Sequence, residues 1–357
     1  MKAGIITICD NNNYGNRLQN YALQHILEKH FNEVITLKNE PYSNTKDKYL
    51  LRLIKNISYK GTYSQDLEKR KMFENFNRNI KFSNKKITAY SNLKKFDFVF
   101  TGSDQVWNPN IARLREVDVL ANVEYKKRIA FSASLGVNEI SNKYHKIIKK
   151  EISKFKAISV REIAGKNIIE KLTKRDDIKV LVDPTMLLSA KEWDEVAKRP
   201  KQLKKDKYIL NYFLGKMSEK RKQEIEKIAK ENDCEIINIL DKNSPFYQTG
   251  PSEFLYLEKN AFLICTDSFH SCVFAIIYNR PFVVFDREDN TVSMNSRIET
   301  LLNKFMLQDR KYNGKLTEEQ LKHNYENAYK ILEKEKQKAY NFLNTALDIK
   351  ENEIERK

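Results

Sequence analysis

The stretch Ile264–Phe285, ICTDSFHSCVFAIIYNRPFVVF, decides the fold. With Ala261, Phe262 and Leu263 before it, Ile264-Cys265 completes an apolar run of the length of a buried parallel strand, and Val283, Val284 and Phe285 supply another about one helix length later. Between them Thr266, Asp267 and Ser268 are helix-capping residue types. Val273, Phe274, Ile276 and Ile277 form an apolar helical face, and Asn279-Arg280-Pro281 ends it. The unit is therefore strand, helix, strand. It puts His270 in the first helical turn beyond the carboxyl end of a strand, where α/β sheets bind ligands and backbone N–H groups attract anions. His270 serves either such an anion or only its own helix, and this stretch leaves both readings open.

Working outward, the same alternation repeats. Apolar strands are expected at 3–9, 34–37, 97–100, 127–132, 157–160 and 179–182, and again at 208–213 and 234–239, which makes the class α/β. A chain of 357 residues exceeds one typical core, so two domains are expected. Asp183-Pro184 closes the first strand set, because proline ends a strand and restricts the residue before it. The expected division is 1–186, a connection at 187–206 carrying Trp193 and Pro200, a second α/β unit at 207–310, and a charged helical tail at 311–357. Ile331, Leu332, Tyr340, Phe342 and Leu343 are the tail's docking residues, and its last ten residues are expected to fray. Residues 40–65 are polar, tyrosine-rich and poorly periodic, as in an insertion or lid, whereas 69–80 reads as a helix with Met72, Phe73, Phe76 and Ile80 inward.

The net charge of +17 draws anions: nucleic acid, membrane lipid or a phosphorylated substrate. The lysines are spread along the chain without an arginine-rich block or nucleic-acid module, which argues against dedicated nucleic-acid binding. Part of the excess also fits lysines that only solvate helix faces. No apolar run reaches 18 residues and the amino terminus enters a strand directly, so neither a membrane span nor a signal peptide is expected and the location expected is cytoplasmic. Cys9, Cys234, Cys265 and Cys272 lack CxxC spacing and lie in or beside apolar elements, as reduced thiols do, so no disulfide or metal site is expected.

Four further segments follow strand ends. After the first strand, Asn13, Asn16 and Gln19 offer amides to sugar hydroxyls or merely satisfy a turn, and a single glycine rules out the dinucleotide fingerprint. In Gly102–Pro109, Gly102 permits close backbone approach, Asp104 offers a carboxylate, and Gln105 and Asn108 offer amides. Trp107 there is either a face for a sugar ring or part of the core. Arg161, at the end of the 157–160 strand, reads an anion bidentately or pairs with Glu162. Arg297 is a second anion ligand or a partner of Asp286 or Asp289.

Taken together, Asn13–Gln19 (NYGNRLQ), Gly102–Pro109, Ser132–Gly136 (SASLG), Ser159–Glu162 (SVRE), Val182–Thr185 (VDPT) and Ser268-Phe269-His270 resemble the polysaccharide pyruvyl transferase family. Six matches in the right order span roughly Met1 to Leu302, and the tail is unmatched. The resemblance implies two Rossmann-like domains facing a cleft, similar to the GT-B glycosyltransferases, with the acceptor side in the first and the donor side in the second. It also implies phosphoenolpyruvate as co-substrate, a glycan diol as acceptor, ketal formation with loss of phosphate, and no cofactor. His270 and Arg161 would then belong to the donor site, with Ser268 beside them and Arg297 added from its position; Asp104 is the candidate base. Asn13, Asn16, Gln19, Gln105, Trp107 and Asn108 would face the acceptor. A saccharide on a lipid-diphosphate carrier would use the basic surface against an anionic membrane, as a peripheral protein at its inner face. The competing functions are a GT-B glycosyltransferase using a nucleotide sugar, in which His270 and Arg161 hold a diphosphate, and a non-catalytic glycan- or lipid-binding relative.

Overall fold

The structure is a computed structural model that describes residues 1–9, 13–39, 60–111, 113–288, 295–322 and 324–349. Its first half alternates β1 (Lys2–Ile6), α1 (Tyr14–Leu27), β2 (Glu33–Thr36), α2 (Lys60–Phe76), β3 (Phe98–Gly102), β4 (Arg128–Ala133), α3 (His145–Glu151), β5 (Ala157–Val160), α4 (Ile163–Thr173) and β6 (Lys179–Val180). The strands form one parallel sheet in the order β2-β1-β3-β4-β5-β6. All six residues of β4 are buried, as a strand covered by helices on both faces requires. The chain leaves β1 toward β2 and returns past it to β3, so the order reverses between β1 and β3, and a crevice opens at their carboxyl ends.

The second half runs through α5 (Ala190–Asp194), β7 (Tyr208–Tyr212), α6 (Glu219–Glu231), β8 (Glu235–Asn238), α7 (Pro251–Asn260), β9 (Leu263–Thr266), α8 (Phe269–Ile277), β10 (Phe282–Val284) and α9 (Asn295–Phe305). Its parallel sheet has the order β10-β9-β7-β8, with the reversal between β7 and β9. The strand, helix and strand expected within 261–285 are β9, α8 and β10. Short α10 (Glu318–Leu321) and long α11 (Glu326–Ala346) follow.

The break at Asp183-Pro184 ends a sheet but not the core. One apolar cluster runs from Ala3, Tyr14 and Leu18 through Trp193 to Tyr208, Ile264 and Phe274. Tyr14 stacks on Phe254 with centroids 4.6 Å apart, and Trp193 meets Phe274 edge to face at 5.1 Å. Each such ring, fully buried, stabilises by about 1.5–3 kcal/mol, so the contact between halves is as apolar as a domain interior. The tail closes the same core: Leu332 and Leu343 of α11 are buried, Phe342 reaches Phe131 of β4 at 6.0 Å, and Asp348 pairs with Lys156.

The expected helix at 69–80 begins earlier, at Lys60, and ends in a 3-10 turn at Asn77–Asn79. Its first turns carry no apolar stripe to mark them. The expected lid lies outside the described residues up to 59, and 60–65 open α2; most of the tail's expected frayed end also lies outside. Among the described residues, no helix is long and apolar enough to cross a membrane.

Candidate active site

The two carboxyl edges meet at a chain of buried charges. Arg161 follows β5 and its side chain is almost wholly buried; its Nη1 donates to Asp183 Oδ2 at 2.6 Å and its Nη2 to Asp104 Oδ1 at 3.3 Å. Asp183, just past β6, also accepts from Ser103 Oγ at 2.5 Å, and its Oδ1 takes the Thr185 amide at 3.0 Å and hydroxyl at 2.8 Å. From the second half, His270 on the first turn of α8 brings Nε2 to 3.6 Å from Asp183 Oδ2. That is longer than a hydrogen bond but close enough for charge to act. Arg297 on α9 brings Nη1 to 4.0 Å from Asp104 Oδ1.

Burial alone would raise the Asp183 carboxyl, but His270, Arg161 and Ser103 outweigh it and hold the group well below the usual carboxylate range. Burial likewise works against the Arg161 charge, and Asp183, Asp104 and Glu162 more than offset it. Arg297 goes the other way, since burial and the nearby Arg161 push it down to about 10. The two guanidinium groups lie against one ring, Phe269, at 4.5 Å and 5.9 Å from its centroid. A carboxylate or phosphate arriving here would relieve the repulsion between them.

The imidazole is held from the other side by backbone. A Cβ built on Gly15, in the first turn of α1, would fall 2.0 Å from His270 Nδ1, so only glycine lets α1 approach this closely. Gln19 locks the neighbouring loop: its Nε2 donates to Thr7 Oγ1 and the Asn16 carbonyl, and its Oε1 accepts from the Ser103 amide at 3.0 Å.

His270, Arg161, Arg297 and Asp104 are thus brought together, and Ser268 precedes them at the cap position of α8. Its amide donates to Thr266 Oγ1, and its hydroxyl bonds to Tyr212 rather than capping the helix. Arg161 pairs with two acids other than Glu162, namely Asp183 and Asp104. Glu162 instead accepts from Ser134 Oγ, Leu135 N and Gly136 N, and Asp286 pairs with Lys311; Asp289 lies outside the described residues.

Several amides expected to face a saccharide are committed to the fold. Asn13 caps α1 by accepting from the Asn16 amide, Asn16 is buried, and the Gln19 amide is used as described. Gln105 and Asn108 pack under Gly136, where a Cβ would lie 2.1 Å from one amide nitrogen and 2.7 Å from the other. Trp107 corrects the expectation of a sugar-stacking face. It is fully buried, donates its indole N–H to the Asp118 carbonyl at 3.0 Å and meets Phe155 edge to face. A separate cleft of about 550 Å³ beside β7 and β8, lined by Asn211, Phe213, Ile236 and Asn238 among others, contains none of the charged cluster.

Asp183 is the functional candidate that sequence reasoning missed. Asp183-Pro184 reads in sequence as a strand end and as part of the VDPT match, with no role for its carboxylate, although its position after a strand end is the same signal that draws attention to Arg161. Gly15 was likewise invisible, because nothing local shows which side chain fills the space a glycine leaves.

The chemistry available is an imidazole facing a buried carboxylate, next to two guanidinium groups on a shared aromatic face. No sequence with a curated description matches the chain. Solved structures match along nearly the full length at low identity. The Methanocaldococcus jannaschii UDP-GlcNAc 2-epimerase is 16% identical over 93% of this chain and 99% of that one, with a TM-score of 0.42. The S. aureus MnaA-UDP co-structure is 11% identical over 98% and 97%, at 0.49, and Acinetobacter baumannii MurG is 11% identical over 94% of each, at 0.40. The sequence model named polysaccharide pyruvyl transferase matches residues 13–290, from the cap of α1 past β10. The chain belongs to the polysaccharide pyruvyl transferase family, and it is a transferase built on two Rossmann-like parallel sheets.

Proposed function

We propose that the protein transfers the pyruvyl group of phosphoenolpyruvate to two hydroxyls of a saccharide, forming a ketal and releasing inorganic phosphate. The observation that carries this reading is His270 lodged between Gly15 and Asp183, beside two buried guanidinium groups. The donor has a carboxylate and a phosphate, and the site has Arg161 and Arg297 for two anionic groups.

In the balanced reaction, the donor's methylene carbon gains a proton, and the first hydroxyl oxygen bonds to the enol carbon and loses its own. The second hydroxyl then displaces phosphate from that carbon, and the proton it gives up is matched by the one that leaves with phosphate. His270 is the proton carrier to the methylene carbon, with Asp183 orienting the ring. Asp104 is the base for the hydroxyl, bridged to both arginines so that donor binding and base position are linked. Ser268 lines the donor side. The saccharide is carried on a lipid diphosphate, and the net charge of +17 draws the protein to an anionic membrane face in cell-surface polysaccharide synthesis.

Titration calorimetry tests the donor assignment. Phosphoenolpyruvate is expected to bind wild type and to bind Arg161→Ala at least about tenfold more weakly, a loss of about 1.4 kcal/mol. Binding of nucleotide sugars with no response to phosphoenolpyruvate would replace this reading with a glycosyltransferase.

A further inference from the structure

A buried cation lies against Tyr14, the neighbour in sequence of Gly15, and has no part in the chemistry above. Lys69 of α2 is 5% exposed. Its ammonium lies 5.1 Å from the ring centroid of Tyr14 and 4.7 Å from that of Tyr247. Among the described residues no carboxylate comes within ion-pair distance of it. The nearest acid in its field is Asp66, one turn earlier, which is engaged elsewhere: Oδ1 accepts from Tyr247 Oη at 2.6 Å, and Oδ2 pairs with Lys242 at 3.2 Å. Lys242 also approaches the Tyr247 ring, at 5.7 Å. Close by, Tyr14 Oη donates to the Thr249 carbonyl, while the Thr249 hydroxyl is buried without a partner among the described residues. Two ammonium groups thus share one aromatic platform with a single carboxylate.

We propose that the cluster of Lys69, Lys242 and Tyr247 is a binding site for a phosphate or diphosphate group of the acceptor. This rests on the function proposed above and adds a residue set and an anionic substrate class to it. Ammonium groups act as compact point charges that suit a tetrahedral anion, in contrast to the forked guanidinium groups at the donor side. The Tyr247 ring faces both ammonium groups, while its hydroxyl is held by Asp66. Burial pushes the Lys69 ammonium down to about 8, and an anion beside it would favour its charged form and shift it back up. The site also has the right address. Tyr14, whose ring lies under Lys69, is followed directly by Gly15, whose backbone lies against His270. A ligand anchored at Lys69 therefore has only the first turn of α1 between its anion and the reacting centre. The cluster joins α2 of the first half to the 245–248 turn of the second, so a bound anion would bridge both.

The test measures binding of inorganic pyrophosphate, and of neutral-lipid vesicles carrying a polyprenyl diphosphate, to wild type, Lys69→Met and Lys242→Met. Wild type is expected to bind pyrophosphate, with a loss of tenfold or more in Lys69→Met and a smaller loss in Lys242→Met. Phosphoenolpyruvate affinity should be unchanged in both variants. Free pyrophosphate displacing the vesicles would identify the lipid headgroup as a source of the anion; vesicles that do not bind, with pyrophosphate binding intact, would assign the site to a soluble phosphorylated sugar. If Lys69→Met does not fold, as read by its unfolding transition, Lys242→Met decides. Equal pyrophosphate binding in wild type and the folded variants, or no pyrophosphate binding by wild type, overturns the proposal. Failure of wild type to bind phosphoenolpyruvate would remove the donor assignment instead and leave this result standing.

Discussion

Gly15 has no side chain where the His270 imidazole needs the space. Gly15→Ala would place a methyl 2.0 Å from Nδ1, so the ring must move. A displacement of about 1 Å at a reacting group costs roughly 100-fold in rate, and that loss in kcat is expected in a variant that still folds. Steady-state phosphate release and a thermal melt check the two halves of that statement. Arg161→Ala also removes the partner of a fully buried carboxylate, and breaking such a pair costs about 3–5 kcal/mol, measurable by denaturant unfolding. The pH dependence follows in sign. Because the folded Asp183 is held below its unfolded value of about 3.9, its contribution is present at neutral pH and is lost progressively as pH falls below about 4. Acid unfolding of Asp183→Asn should be flatter there. At this scale the sequence placed Arg161 directly after an apolar strand and His270 in the first turn of the helix beyond one, and the structure brings both to one cluster. It was not legible at Trp107, whose indole fits a sugar face or a core equally until Asp118 and Phe155 are seen around it.

Helix α8 carries His270 and rests on α7 through one buried polar contact. Ser271 Oγ donates to Glu258 Oε1 at 2.5 Å, and the other oxygen of Glu258 has no partner among the described residues. Burial raises the Glu258 carboxyl well above its ordinary value, the Ser271 bond opposing this only in part. The folded state therefore holds a proton that the unfolded chain releases above about pH 4.3, and stability declines as pH rises from there toward the folded value. Glu258→Gln keeps the acceptor oxygen and removes the titration. Its unfolding midpoint should exceed that of wild type at pH 8 and converge with it near pH 4; a constant difference across that range would show that Glu258 does not titrate with folding. Elements were legible where apolar residues set a period, as in β9, α8 and β10. The start of α2 was not, because Gly61, Thr62, Tyr63 and Ser64 are weak helix formers and give no local signal of a helix.

Across the whole molecule, the two sheets were legible from strand and helix alternation, but their union was not. Tyr14, Trp193, Phe254 and Phe274 look like local core residues in sequence, and only their stacking across the halves shows one continuous core. Such an interface disfavours wide opening, so substrates are expected to enter a largely formed site. Helix α11 belongs to that core. Ending the chain at Lys322 would expose the surfaces covered by Leu332, Leu343 and Phe342, and with about 1.5–3 kcal/mol per buried side chain the loss should reach about 4 kcal/mol or more. A melting midpoint unchanged by that truncation would contradict this. The central claim is pyruvyl transfer centred on His270. Its most direct measurement incubates wild type and His270→Ala with carbon-labelled phosphoenolpyruvate and a pool of lipid-linked cell-surface glycans, following phosphate release and label in the glycan. Wild type should incorporate label as an acid-labile ketal with one phosphate released per pyruvyl group, and folded His270→Ala should do neither. Transfer by His270→Ala at the wild-type rate, or wild-type phosphate release that leaves no label in any glycan, would contradict the account.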